Sequence, residues 1–245
     1  MRGAGPFATK DAARRAVWDA LEREGAARFP FPPHGRIPNF AGAGAAARRL
    51  LDGPAFASAR LIKVNPDAPQ RPLRLEALRR GMVLFVPAPR LRGGFRRLDP
   101  SAIPRDRLAE AASLSRGGRW SVEVPLSELP RMDLIVTGSV AVTRAGGRCG
   151  KGHGYGDIEY AILRELGHGP APVATTVHRL QIVEGLPRER HDLPVTWIAT
   201  PEELIRVEDP PPPPRGVDWE ALPAAALKEM PVLAELRRMR AARAR

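Results

Sequence analysis

Apolar and polar positions alternate along the chain in a way that divides it into short strands and helices. Ala13, Val17, Ala20 and Leu21 recur at helical spacing between a candidate N-cap, Thr9, and a stop at Gly25, which predicts an amphipathic helix over about 10–24. The next stretch, ARFPFPPHGRIPNFAGAG, holds four prolines and several glycines and predicts a long irregular loop. AAARRLL (45–51) is helical, LIKVN (61–65) is a short apolar strand stopped by Pro66, and a helix follows over about 71–80 with Pro72 in its first turn and Gly81 after it. MVLFVP (82–87) reads as a buried strand, 91–119 as an Arg- and Gly-rich segment with a short helix near 104–113, and WSVEVP (120–125) as an edge strand. DLIVTGS (133–139) is a strand whose Gly-rich continuation runs into a helix over 156–166 closed by Gly167. VATTVH (173–178) and VTWIAT (195–200) add two strands, and Pro201 opens a last short helix, PEELIRV. Short apolar strands alternating with helices predict an α/β fold with a mostly parallel sheet covered on both faces.

Composition supports one folded unit with an appendage. The chain has 245 residues, 43% of them hydrophobic, which is enough for a sizeable core. DPPPPPR (209–215) favours a polyproline spacer, so the domain is expected to span 1–208, and 209–245 to form a Pro-rich linker and a short Arg-rich helical tail. No apolar run approaches the roughly 18 residues of a membrane helix, and the N-terminal charges are followed by no apolar stretch, so no membrane partner, no signal peptide and a cytoplasmic location are expected. Cys149 is the single cysteine, which excludes an internal disulfide framework and a multi-cysteine zinc site. The net charge of +12 raises nucleic acid as a partner, yet only four of the 39 basic residues are lysines, the arginines are scattered, and aromatics make up 5%. The dense run RRMRAARAR reads as a solvated helix end, and nucleic acid is not the expected partner.

The stretch richest in chemistry is GRCGKGHGYGD (147–157), with five glycines in eleven residues between a buried strand and a helix N-terminus. Glycines there let the backbone approach a ligand, successive amides form an anion-binding concavity, and the helix dipole adds positive potential. Lys151 places a mobile cation in this loop. It is neither a Walker loop nor a dinucleotide fingerprint, because the Gly-Lys-Ser/Thr ending and the GxGxxG spacing are missing.

This loop resembles the GxRLGRGxGYYD signature of the 5-formyltetrahydrofolate cyclo-ligase (methenyltetrahydrofolate synthetase) family. DLIVTGSVAVTRAG is similar to the family's DLIIVPGVAFDxxG, and Gln181, Leu186-Pro187, His191-Asp192 and Thr200 follow the order of its QxxxxLPxxxxDxxVDxIIT segment. Lys10 and Arg14 match its N-terminal KxxxR. The likeness covers roughly 8–207, and the HGRIPNF loop and Pro-rich tail resemble the divergent branch of methenyltetrahydrofolate-synthetase-domain proteins. It implies a three-layer α/β/α fold of the sugar-phosphate isomerase and CoA-transferase type that binds ATP, Mg²⁺ and a reduced folate. The implied reaction phosphorylates the formyl oxygen and then closes the ring. Residue by residue, the resemblance implies ATP binding by Lys10, Arg14, Gly150, Lys151, Gly152, His153, Gly154 and Tyr155, with Lys151 also taking the catalytic role. It implies substrate binding by Val64, Asp67, Gln70 and Tyr155, and metal binding by Asp157 and Asp192.

The match is uneven. Gly156 replaces the signature's second Tyr, His153 and Cys149 are unusual in their places, and the family's pterin-contacting Glu falls at Pro69. The phosphate half therefore matches better than the folate half. This leaves two alternatives: a cyclo-ligase-like paralogue without folate activity, linked to thiamine or another heteroaromatic metabolite, and a nucleic-acid-associated protein acting through its Arg-rich tail. His34, Arg36 and Asn39 are candidates to line an altered pocket. The oligomeric state is not legible.

Overall fold

The computed structural model describes residues 6–113, 117–222 and 226–243. Eight strands form the main sheet: β1 (Leu61–Val64), β2 (Val83–Pro87), β3 (Phe95–Leu98), β4 (Ser121–Val124), β5 (Leu134–Val136), β6 (Val173–Thr176), β7 (Trp197–Ala199) and β8 (Leu204–Arg206). Their spatial order is β8-β7-β6-β5-β1-β2-β3-β4. The run from β7 to β2 is parallel, and β8, β3 and β4 extend it antiparallel at the two ends. The longer helices are α1 (Lys10–Arg23), α2 (Ala43–Asp52), α3 (Arg71–Arg79), α4 (Tyr155–Glu165) and α5 (Pro231–Arg243).

Strand alternation assigns the helices to their layers. Ile62, Val64, Leu84, Leu134 and Val136 face one side, where Leu50 and Leu51 of α2 and Leu73, Ala77 and Leu78 of α3 cover them. Phe85, Phe95, Ile135, Val173 and Ile198 face the other, under Tyr160, Ile162 and Leu163 of α4 and Val232, Leu233 and Leu236 of α5. This is the expected α/β fold, a mostly parallel sheet between helices. A small three-stranded ladder made of Ala141–Thr143, Arg148–Cys149 and Ile182–Val183 leaves the carboxyl end of β5, and Val17, Trp18 and Leu21 of α1 pack against it. Thr9 caps α1 as its sequence predicts, its Oγ1 accepting from the Ala12 amide at 3.1 Å.

Three expectations are corrected. PEELIRV is not a helix: the Thr200 hydroxyl accepts from the Glu202 and Glu203 amides at 3.1 and 2.9 Å, closing a tight turn that returns Leu204–Arg206 as β8 beside β7. The Arg-rich segment holds strand β3, whose two ends, Phe95 and Leu98, are buried on opposite faces of the sheet while Arg96 and Arg97 between them hide the strand in the sequence. Its helix contracts to Leu108–Ala111 after a 3₁₀ turn. A boundary near 208 also does not bound the core, because Ala226, Met230, Val232, Leu233 and Leu236 are buried in the α4-side cluster. Arg188 donates to the Pro212 carbonyl at 2.5 Å, and Arg190 grips Asp218 at 2.6 and 2.9 Å, which ties the Pro-rich segment down.

Candidate functional site

Strand order reverses between β5 and β1, so the connections after these strands diverge and leave a crevice at their carboxyl ends, the usual ligand position in an open parallel sheet. A cavity of about 880 Å³ occupies it. Its walls are Asn65–Asp67 after β1, Thr137 and Gly138 after β5, the turn between β2 and β3, and the glycine-rich loop leading into α4. Such a volume suits a ligand of cofactor size.

The loop is shaped by its glycines and held by cations. Gly152 and Gly154 have φ of 107° and 68°, and Gly154 begins α4 with no side chain capping the first turn, which leaves that end open to an anion. Arg14 Nε donates to the Gly150 carbonyl at 2.7 Å, tying the loop to α1, while Arg14 also pairs with Asp11. Lys151 Nζ reaches Asp67 Oδ1 at 2.9 Å across the cavity mouth. His153 and Tyr155 stack at 5.8 Å between centroids, 11° from parallel, and both line the cavity.

Behind the loop lies a charged framework. Arg148, 5% exposed, pairs with Asp157 and donates to the Gly138 and Leu193 carbonyls, each at 3.2 Å. Burial, the largest single influence, would lower the Arg148 pKa, yet Asp157 together with Cys149 and Asp192 makes the net shift upward. Asp157 Oδ1 also accepts the Leu193 amide at 2.8 Å. Deeper still, Lys63 projects from β1 towards α4, pairs with Glu159 and donates to Asn65 Oδ1 at 2.7 Å; Asn65 Nδ2 donates to Glu159 Oε2 at 3.1 Å. Arg74 is buried against the carbonyls of Ala112, Asn65 and Asp67 at 3.0, 2.7 and 3.2 Å, and burial lowers its pKa to about 10. It fixes the loop that carries Asp67.

The structure brings some of the expected residues together and separates others. Asp67, Gly150, Lys151, His153, Gly154, Tyr155 and Asp157 line the cavity, with Arg14 and Gly152 adjoining. Val64 and Gln70 are buried outside its walls, Gln70 donating to Thr176 Oγ1 at 3.4 Å. Lys10 lies away from the cavity, on Asp192 Oδ1 at 2.6 Å and near Glu189 at 3.8 Å. Of the HGRIPNF loop, Gly35 and Ile37 line the cavity, whereas His34 pairs with Asp19 and Asn39 donates to the Phe29 carbonyl. Sequence reasoning passed over Lys63, Asn65, Arg74, Thr137, Arg148 and Glu159. Two of them carry a visible signal: Lys63 is a lone charge inside the apolar run LIKVN, and Arg148 falls on the Arg of the loop signature.

The model of the 5-formyltetrahydrofolate cyclo-ligase family matches residues 8–201. The chain belongs to this family. Among relatives of this cyclo-ligase family member, the methenyltetrahydrofolate synthase domain-containing protein of Mus musculus is 43% identical over 236 residues, 94% of this chain and 63% of the relative. Its Homo sapiens counterpart is 37% identical, over 94% of this chain and 61% of that protein. The chain thus spans under two thirds of these relatives' length. In fold, it is similar to the NMR structure of Aquifex aeolicus 5,10-methenyltetrahydrofolate synthetase, with a TM-score of 0.53 at 19% identity over 83% of this chain and 95% of that one. Cyclo-ligases of this family are ATP-dependent. Among the described residues no helix is long and apolar enough to cross a membrane.

Proposed function

We propose that this chain converts 5-formyltetrahydrofolate and ATP to 5,10-methenyltetrahydrofolate, ADP and phosphate. The observation that carries the reading is the meeting of the glycine-rich loop, the open start of α4 and Lys151 at one cavity of about 880 Å³. The formyl oxygen attacks the γ-phosphorus and ADP leaves; the anilino nitrogen then attacks the formyl carbon, loses its proton and expels phosphate. Such a transfer needs alignment and positive charge more than a protein nucleophile. The amides of Gly150, Gly152 and Gly154 would hold the phosphates, and Lys151 would exchange Asp67 for the transferring group. Arg14 keeps the loop in place through the Gly150 carbonyl. Lys10 would reach phosphate only on leaving Asp192.

The carboxylates fit a cation that arrives with the triphosphate better than a prebuilt metal centre. Asp192 already accepts from Lys10 and, through Oδ2, from the Glu189 amide at 2.7 Å, while Asp157 spends only Oδ1 on Arg148 and Leu193. Asp157 Oδ2 would therefore hold Mg²⁺, and Asp192 would join it once Lys10 moves. Bound there, the ion neutralises charge on the phosphates.

Incubation with 5-formyltetrahydrofolate and magnesium-ATP, followed by the near-ultraviolet methenyl chromophore, tests the reaction. A folded protein that binds ATP and forms no chromophore would overturn it. That result would favour a paralogue with a different heteroaromatic substrate, to which Pro69 and Gly156 at the two altered folate positions already point.

A further inference from the structure

We infer that Glu159 is the specificity-determining carboxylate of this cavity, and that with Thr137 it reads the amino-bearing edge of a planar heterocycle. The inference rests on the cyclo-ligase reading above and names the group that recognises the ring. Four acidic residues line the cavity among the described ones: Asp67, Asp157, Glu159 and Glu229. Glu229 is exposed at the rim, where water competes with any ligand. Asp67 faces Lys151 and Asp157 faces Arg148, both on the side of the glycine loop.

Glu159 differs from these three. It is 3% exposed and lines the cavity, and both of its protein donors, Lys63 and Asn65, go to Oε2. Among the described residues no donor is directed to Oε1. A carboxylate has room for about four donors, so half of this one's accepting capacity is unused. In the same cavity wall, under the helix turn that precedes Glu159 on α4, Thr137 Oγ1 is buried and also without a partner among the described residues. It sits under Gly156, where a Cβ would approach it to 3.1 Å. An unused anionic acceptor and an unused hydroxyl together suit a ring edge that presents an amino group next to a ring nitrogen or carbonyl.

The ion pair itself is weak as a stability device. Desolvating both charges costs about as much as their attraction returns, and a well-packed apolar pair at such a site is often as stable. What Lys63 does achieve is to hold Glu159 by Oε2, which leaves Oε1 to the cavity. Burial pushes the Glu159 carboxyl up, and Lys63 opposes that push.

The test uses 5-formyltetrahydrofolate and an analogue with a methyl group in place of the ring amino group, with a non-hydrolysable ATP analogue as control. Calorimetry on the full chain is expected to give wild type about 10- to 100-fold weaker binding of the methyl analogue, the usual cost of a lost hydrogen bond to a charged group. Glu159→Gln should bind the natural substrate weaker by a similar factor, lose most of the discrimination, and keep nucleotide affinity within about twofold of wild type. Because a lone buried Lys63 risks misfolding, the pair Lys63→Met with Glu159→Gln is measured alongside; it buries no charge and should show the same loss. Variants that discriminate as well as wild type would overturn the role of Glu159 and leave the cyclo-ligase reading intact. A wild type that binds nucleotide and neither folate would overturn both.

Discussion

At the scale of single residues, the structure changes what Asp157 means. Its motif leads one to expect a metal ligand, and such a ligand replaced by Asn should leave stability almost untouched. Its carboxylate is also the counter-ion of Arg148, which is buried, and it accepts the Leu193 amide. Asp157→Asn leaves a buried guanidinium without its charge partner, a change that costs about 3 kcal/mol. In a chain of this length that corresponds to a melting temperature lower by about 6–12 °C. Thermal unfolding of the variant checks this, and an unshifted midpoint would show that the Asn amide oxygen suffices for Arg148. The motif of this loop was readable from its glycines and its one lysine. The role of Arg148 was not: it falls on the Arg of the loop signature, but only the fold turns its guanidinium back beneath the loop onto Asp157 and the Gly138 and Leu193 carbonyls. Lys63 and Glu159 are 96 positions apart, and only the packing of α4 on β1 joins them.

At the scale of elements, sequence reading succeeded where local chemistry decides the outcome. α1 begins at its predicted cap, α3 ends before Gly81, which adopts φ of 78°, and the apolar runs became β1, β2, β5, β6 and β7. It failed where a neighbour decides: Leu204–Arg206 is a strand because β7 offers an open edge, and β3 is one because β2 pairs with it in antiparallel register. The start of α4 shows the same dependence. A Tyr in place of Gly156 would complete the family signature, yet the Cβ would lie 3.1 Å from Thr137 Oγ1 and 3.9 Å from both Arg148 guanidinium nitrogens. Gly156→Tyr is therefore expected to lower stability by about 1–3 kcal/mol through crowding. It should also fail to raise turnover, because the ring would displace the helix start that holds the glycine-rich loop. Denaturant unfolding and the chromophore assay together decide it: unchanged stability with faster turnover would show that the missing ring, and not the space around it, limits activity.

At the scale of the whole molecule, the +12 charge and the Arg-rich C-terminal run invited a nucleic-acid reading that the packing redirects. From residue 208 onward there are seven basic and six acidic residues, so the excess charge lies mainly in the α/β body. Helix α5 turns Arg237, Arg238 and Arg240 to solvent and buries Val232, Leu233 and Leu236 with Met230 against the core near Phe95 and Leu126. Burying four large apolar side chains contributes roughly 6–12 kcal/mol, which is comparable to the whole stability of an ordinary domain, about 5–15 kcal/mol. A chain ending at 208 is thus expected to lose cooperative unfolding and expose an apolar patch that binds a hydrophobic dye. Replacing Arg237, Arg238 and Arg240 together by Gln should leave the melting temperature within a few degrees, since surface charges of this kind contribute little. The two variants separate wall from appendage. If the truncated chain melts like the full one, α5 is an appendage and its arginines are free for a partner; if it collapses while the triple Gln variant does not, the buried face of α5 is what the fold requires.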